Sequence, residues 1–219
     1  MTKNNENGEV EETEEEEEEQ QTRVIMLGGS SEPELRTVSL YGELDERTAK
    51  DVVAGFWYLR ETAKSEEPED PEDPESEMKE VIHPAEFVIS TTGGNVDDMF
   101  AIYDTMRFCR EEMEIHTFGL GKVMSAGVIL LAAGTKGKRK IGKHCRVMIH
   151  SVIGGVGGPM HQMDHEMKEV RSIQETYIKA LCEETNITQR QFRSLLKKKV
   201  NIYLNAEEAV KYGIADIII

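Results

Sequence analysis

The chain has 219 residues, of which 42 are acidic and 26 basic, giving a formal net charge of −16, with 38% hydrophobic residues. That length sustains one domain with a sizeable core. So acidic a balance argues against a nucleic-acid binder, and no apolar run reaches the roughly 20 residues of a membrane span.

The charge is localised. Ten of the acids lie in residues 1–20 and nine in residues 66–80, so the remainder carries about as many acids as bases. Like-charge blocks without apolar residues cannot bury enough surface to fold, and residues 1–22 are expected to form a disordered acidic tail. Their composition fits neither a signal peptide nor a transit sequence, which points to a cytoplasmic location. From residue 23 onward a single α/β domain is expected.

In chain order, Val38 to Tyr41 reads as a strand and Asp45 to Arg60 as a helix. The proline-rich acidic run EEPEDPEDPESE marks a disordered insertion at about 64–83, tolerated because loop-closure entropy grows only logarithmically with length. Glu86 to Ser90 is the next strand, Thr91 to Asn95 a glycine turn and Val96 to Arg107 a helix with Val96, Met99, Phe100, Tyr103 and Met106 on one face. A strand from Ile115 to Leu120 leads through Ser125 into a helix from Ala126 to Ala133. Arg146 to Ile149 is a strand ending at His150. Beyond Gly158 come a long helix, Met160 to Glu184, and a helical hairpin starting near Thr188. Alternating strands and helices imply an α/β fold with parallel crossovers.

The chemistry concentrates between Lys122 and His150. Ser125 stands at the mouth of an apolar helix, where small neighbours let backbone approach a substrate and a helix N-terminus favours a developing oxyanion. A serine needs a base, and His150 leaves the sheet at a strand end. The competing assignment for Ser125 is a helix cap, and for His150 a surface or core residue. Gly93-Gly94 is a poor phosphate loop, since it lacks the full glycine pattern and a Lys-Ser/Thr pair. His161 and His165 have i, i+4 spacing but neither the glutamate nor the third ligand of a zinc site, so no metal or other cofactor is expected. Cys109, Cys145 and Cys182 are odd in number and set in apolar patterns, which favours reduced thiols. Lys197 to Lys199 reads as a solvated or inter-subunit patch.

Several segments, in order, resemble the proteolytic subunit of the Clp protease: IYDTM (Ile102 to Met106), AAGTKGKR (Ala132 to Arg139), RVMIH (Arg146 to His150), Gly154-Gly155 and NAEEAVKYGIAD (Asn205 to Asp216). The resemblance spans roughly Val38 to Ile219. It implies the spiral strand-and-helix superfold shared with crotonases, with a helical handle made by Gly154 to Gly158 and the helix after it. It also implies a serine peptidase with Ser125 as nucleophile, His150 as general base and the N–H groups of Gly94 and Ala126 as oxyanion hole. The implied assembly is a homo-oligomer of two stacked heptameric rings, fed with polypeptide by an AAA+ unfoldase and needing neither nucleic acid nor membrane.

Three departures stand out. Asn201 occupies the place of the third triad residue, usually aspartate; an amide can fix the histidine tautomer but cannot stabilise the imidazolium as a carboxylate does. Asp216 and Asp164 are the fallback carboxylates. Ala126 replaces a methionine after the nucleophile, where only the N–H is needed, and TRVIMLGGSSEPEL replaces the usual N-terminal helix and axial loop. The alternatives are an inactive structural subunit of such a ring, a viral-type maturation protease, and thioester chemistry on the same superfold.

Overall fold

Strand β1 (Thr37–Leu44) turns at Asp45 into helix α1 (Glu46–Glu61). The turn is a capping box, with Thr48 N–H donating to Asp45 Oδ1 at 2.9 Å and Asp45 N–H to Thr48 Oγ1 at 3.0 Å. One stripe of α1, Ala49, Val52, Phe56 and Leu59, is buried. The computed structural model describes residues 35–219 apart from 71, 72, 74, 75, 156 and 198–200, and its described residues belong to one unit, Leu35–Ile219. The acidic tail expected at 1–22 lies outside the described residues.

The acidic insertion differs from expectation. Its two arms, β2 (Lys64–Pro68) and β3 (Met78–Ile82), pair antiparallel from Lys64↔Ile82 to Pro68↔Met78. Composition alone hid this, because Pro68 sits at the very end of one arm, while β-branched Val81 and Ile82 and the cross-strand pair Glu67↔Lys79 lie in the arms. His83 closes the base: its N–H donates to Ala63 O at 2.8 Å, and its Nε2 lies 2.7 Å from Ser65 Oγ.

β4 (Ala85–Gly94), α2 (Val96–Cys109), β5 (Ile115–Met124) and α3 (Ala126–Ala132) follow. Next come β6 (Lys140–Ile141), β7 (Arg146–Ile149), α4 (Met160–Glu184), α5 (Gln189–Leu196), β8 (Ile202–Leu204), α6 (Ala206–Lys211) and β9 (Ile217–Ile218). The main sheet runs β1-β4-β5-β6-β9, with β7 also pairing β5 and β8 pairing β7; only β7–β8 is antiparallel. This is the α/β fold with parallel crossovers that the alternation of elements implied.

Strand β5 serves two neighbours. Phe118 and Gly119 pair with β6, and Lys122 to Met124 pair with β7. The sheet therefore divides along β5, and β5 runs four residues beyond the Leu120 expected from sequence. Helix α3 is buried along its whole length, unlike an amphipathic surface helix. Between Met160 and Thr176, α4 has no buried residue; burial begins at Tyr177.

Arg139, 4% exposed, is neutralised by Asp216: its Nε donates to Oδ2 at 2.8 Å and its Nη2 to Oδ1 at 2.5 Å. The N–H groups of Gly137 and Arg139 also donate to Oδ2. The fallback carboxylate Asp216 is thus structural. Burial pulls its carboxyl upward, but the Arg139 side chain and these N–H donors outweigh it, leaving it below the ordinary range. A carboxyl whose folded value lies below its unfolded one stabilises above the ordinary value near ~4, and that stability is lost as pH falls below it. Urea midpoints of the native chain should therefore drop below about pH 4. Asp216→Asn should flatten that acid limb and cost about 3–5 kcal/mol at pH 7, by leaving a buried guanidinium without its counter-charge.

Candidate active site

The carboxyl ends of four strands meet at one cavity of about 590 Å³, a volume that suits a segment of peptide. Glu43 reaches its wall from the end of β1, Gly93 and Gly94 from β4, Ser125 and Ala126 from the β5–α3 junction, and His150 and Ser151 from beyond β7. In open α/β sheets this is where ligands bind. Asn95 N-caps α2 beside it, its Oδ1 accepting from Asp97 N–H at 2.7 Å.

Ser125 is held as few serines are. Its φ of 53° and ψ of −118° make it the one non-glycine with positive φ among the described residues, a conformation costing on the order of 1–3 kcal/mol. The helix-cap alternative fails on two counts: a capping serine has extended dihedrals and bonds a first-turn N–H, and the Ser125 side chain caps nothing. The turn is pinned instead through its backbone. Ser125 N–H donates to Met148 O at 2.8 Å, and its carbonyl accepts from Val128 N–H at 3.1 Å and the Tyr177 hydroxyl at 3.4 Å. Gly93 presses from the other side, where a Cβ would come within 2.5 Å of Ser125 Cβ.

His150 shares the cavity, and its Nδ1 lies 2.5 Å from the Ser151 carbonyl. A carbonyl only accepts, so Nδ1 is the donor here, and in the neutral ring the lone pair a base requires then sits on Nε2. Among the described residues no hydrogen bond joins His150 to Ser125, or Asn201 to His150. Asn201 is exposed and follows residues 198–200, which lie outside the described residues. Ile202 pairs with Ile149 across β7–β8, so Asn201 comes one register step on, level with His150. The structure thus brings four of the five expected residues, Ser125, His150, Gly94 and Ala126, to one cavity, and Asn201 is not among the residues that line it.

The other sequence candidates lie elsewhere. His161, His165 and Asp164 are exposed on α4, and no cluster of three metal-ligating side chains occurs among the described residues. Cys109 and Cys145 are buried, which pushes the Cys145 thiol up to about 11. Lys197 ends α5, while Lys198 and Lys199 lie outside the described residues. Among the described residues no helix is long and apolar enough to cross a membrane. Tyr177, also in the cavity wall, carried no sequence signal beyond a helical position 52 residues from Ser125.

A family described as Clp protease matches residues 76–219. The chain belongs to the Clp protease family. That match covers the serine, the histidine and the long helix, and the α/β fold with its mostly parallel sheet agrees with it. Family membership supports a hydrolase acting on polypeptides and an oligomeric habit.

Proposed function

We propose that the chain is a serine endopeptidase of the Clp type that cleaves unfolded polypeptide inside an oligomeric chamber. The observation that carries this is Ser125: a serine kept in a costly conformation, not used as a cap, and sharing a cavity with a histidine whose bonded Nδ1 frees its Nε2. Strain of this kind collects at functional sites because the fold has to over-determine it.

In this reading Ser125 Oγ attacks the scissile carbonyl carbon while His150 Nε2 takes its proton. The oxyanion is met by the N–H groups of Gly94 and Ala126. His150 then protonates the leaving amine, and the acyl-serine is hydrolysed by a water that His150 deprotonates. The orienting acceptor is a neutral oxygen: the Ser151 carbonyl in this structure, with the Asn201 amide oxygen, from the residue before β8, as its chemical equivalent. Either fixes the tautomer, and neither supplies the negative charge that steadies an imidazolium.

Incubating the assembled protein with a fluorophosphonate tests the reading, and an adduct on Ser125 is expected. Absence of the adduct favours the inactive structural subunit, to which the missing triad carboxylate already points. Native mass spectrometry checks the assembly of two stacked heptameric rings, and co-sedimentation with an AAA+ unfoldase checks that partner. A further expected result concerns Asn201→Asp, which should raise turnover about tenfold, the margin of a charged over a neutral hydrogen bond. A fall in turnover would mean that position 201 does not serve His150.

A further inference from the structure

Tyr177 and Glu184 stand seven positions apart on one face of α4, which separates them by about 10 Å along its axis. Helix α3, Ala126–Ala132, has seven residues and about the same length. Each of the two side chains serves one end of it. At the front, the Tyr177 hydroxyl donates to the Ser125 carbonyl. At the back, the Glu184 carboxylate receives Arg110 in a two-pronged pair, Nη1 to Oε2 at 3.0 Å and Nη2 to Oε1 at 2.8 Å. Arg110 Nη1 also donates to Ala133 O at 2.7 Å. The backbone carbonyl of Glu184 takes Arg139 Nη1 at 2.7 Å, and the same nitrogen donates to Ala132 O at 3.1 Å. The last carbonyls of α3, which no intrahelical donor can reach, are thus met by two guanidinium groups that both lean on Glu184.

Tyr177 is 4% exposed and Glu184 5%. Two buried polar groups on one helix face, each directed to a different end of the helix behind the serine, call for a purpose that the acyl-transfer steps do not use. A turn with unfavourable dihedrals relaxes if the helix after it slides or pivots. A hold at one end stops sliding alone, and a hold at both ends stops both.

We propose that Tyr177 and Glu184 are positioning residues that grip α3 at its two ends and so keep Ser125 in its strained, reactive conformation. The proposal rests on reading Ser125 as the nucleophile. The grip itself is a property of the fold that can be measured without catalysis.

Tyr177→Phe removes the hydroxyl and keeps the ring packed against Phe192, whose centroid lies 6.1 Å away. The fluorophosphonate labelling rate and peptide kcat should fall about two- to tenfold, the effect of one lost hydrogen bond, with KM unchanged. Amide hydrogen exchange across residues 122–133 should speed up by a similar factor. Glu184→Gln should give the same two signatures. Unchanged labelling and exchange in Tyr177→Phe overturn the grip and leave the peptidase reading standing. A raised KM at constant kcat also overturns it, since Tyr177 then acts only as cavity wall. If the native chain takes no label, exchange decides: faster opening in Tyr177→Phe upholds the grip while the peptidase reading falls, and unchanged exchange overturns the grip too.

Discussion

Ser125→Ala is expected to abolish both peptide cleavage and fluorophosphonate labelling, a loss on the order of 10⁶ in turnover where the whole nucleophile-base unit is disabled. Nothing else in the cavity can take over the attack from the same place. Ser151 also lines the wall, but its carbonyl is bound to the His150 ring and the residue follows β7 instead of sitting at a helix mouth. Ser151→Ala should therefore keep activity and labelling. The stability of the serine variants carries separate information. With φ at 53° a Cβ is a burden, so Ser125→Gly should be more stable than Ser125→Ala by about 1 kcal/mol, read from urea midpoints. Full cleavage by Ser125→Ala would end the nucleophile assignment, and a glycine variant no more stable than the alanine one would remove the strain.

Gly93→Ala should lower the labelling rate of Ser125 about 10²-fold, the effect of moving a reacting atom by roughly 1 Å. Gly93 has φ of 92°, and an added Cβ would stand 2.5 Å from Ser125 Cβ and 3.0 Å from its Oγ. Contact that close forces one residue aside, and Ser125 is the one already in an unfavourable well. Gly137→Ala separates the two causes. Its φ of 86° is almost the same, but its Cβ would meet nothing within 4 Å. It should lose about 1–2 kcal/mol of stability and leave labelling untouched. Equal labelling rates in both variants would mean that the contact at Gly93 does not govern the serine.

The alternation of strands and helices, and the candidate residues at the carboxyl ends of β4, β5 and β7, were legible because they are local: Val96–Cys109 begins at its expected residue, and Arg146–Ile149 and Met160–Glu184 match their expected ends. Ser125 and His150 could be named as a pair from motif and strand position, since parallel strands deliver their carboxyl ends to one side. The strain at Ser125 could not, because it arises from Met148, Gly93 and Tyr177, which reach it from three separate elements. The Arg110–Glu184 pair spans 74 residues and left no trace in spacing or composition. The β2–β3 pairing was obscured for the opposite reason. Its acids dominated the local composition, while pairing depends on alternation and on which residues face across the strands.

The division of β5 between two neighbours has a bearing on synthesis at the ribosome. Its first half is completed sideways by β6, which in turn needs β9, and Arg139 finds Asp216 only 77 positions later. A nascent chain that has emerged only through β7 can assemble the layer holding the serine and the histidine, yet carries an arginine whose counter-charge has not been translated. Closing so long a loop is entropically slow. Completion of this half of the sheet therefore waits for Asp216 and β9, and nonsense truncations upstream of them should yield chains that chaperones retain and proteases clear.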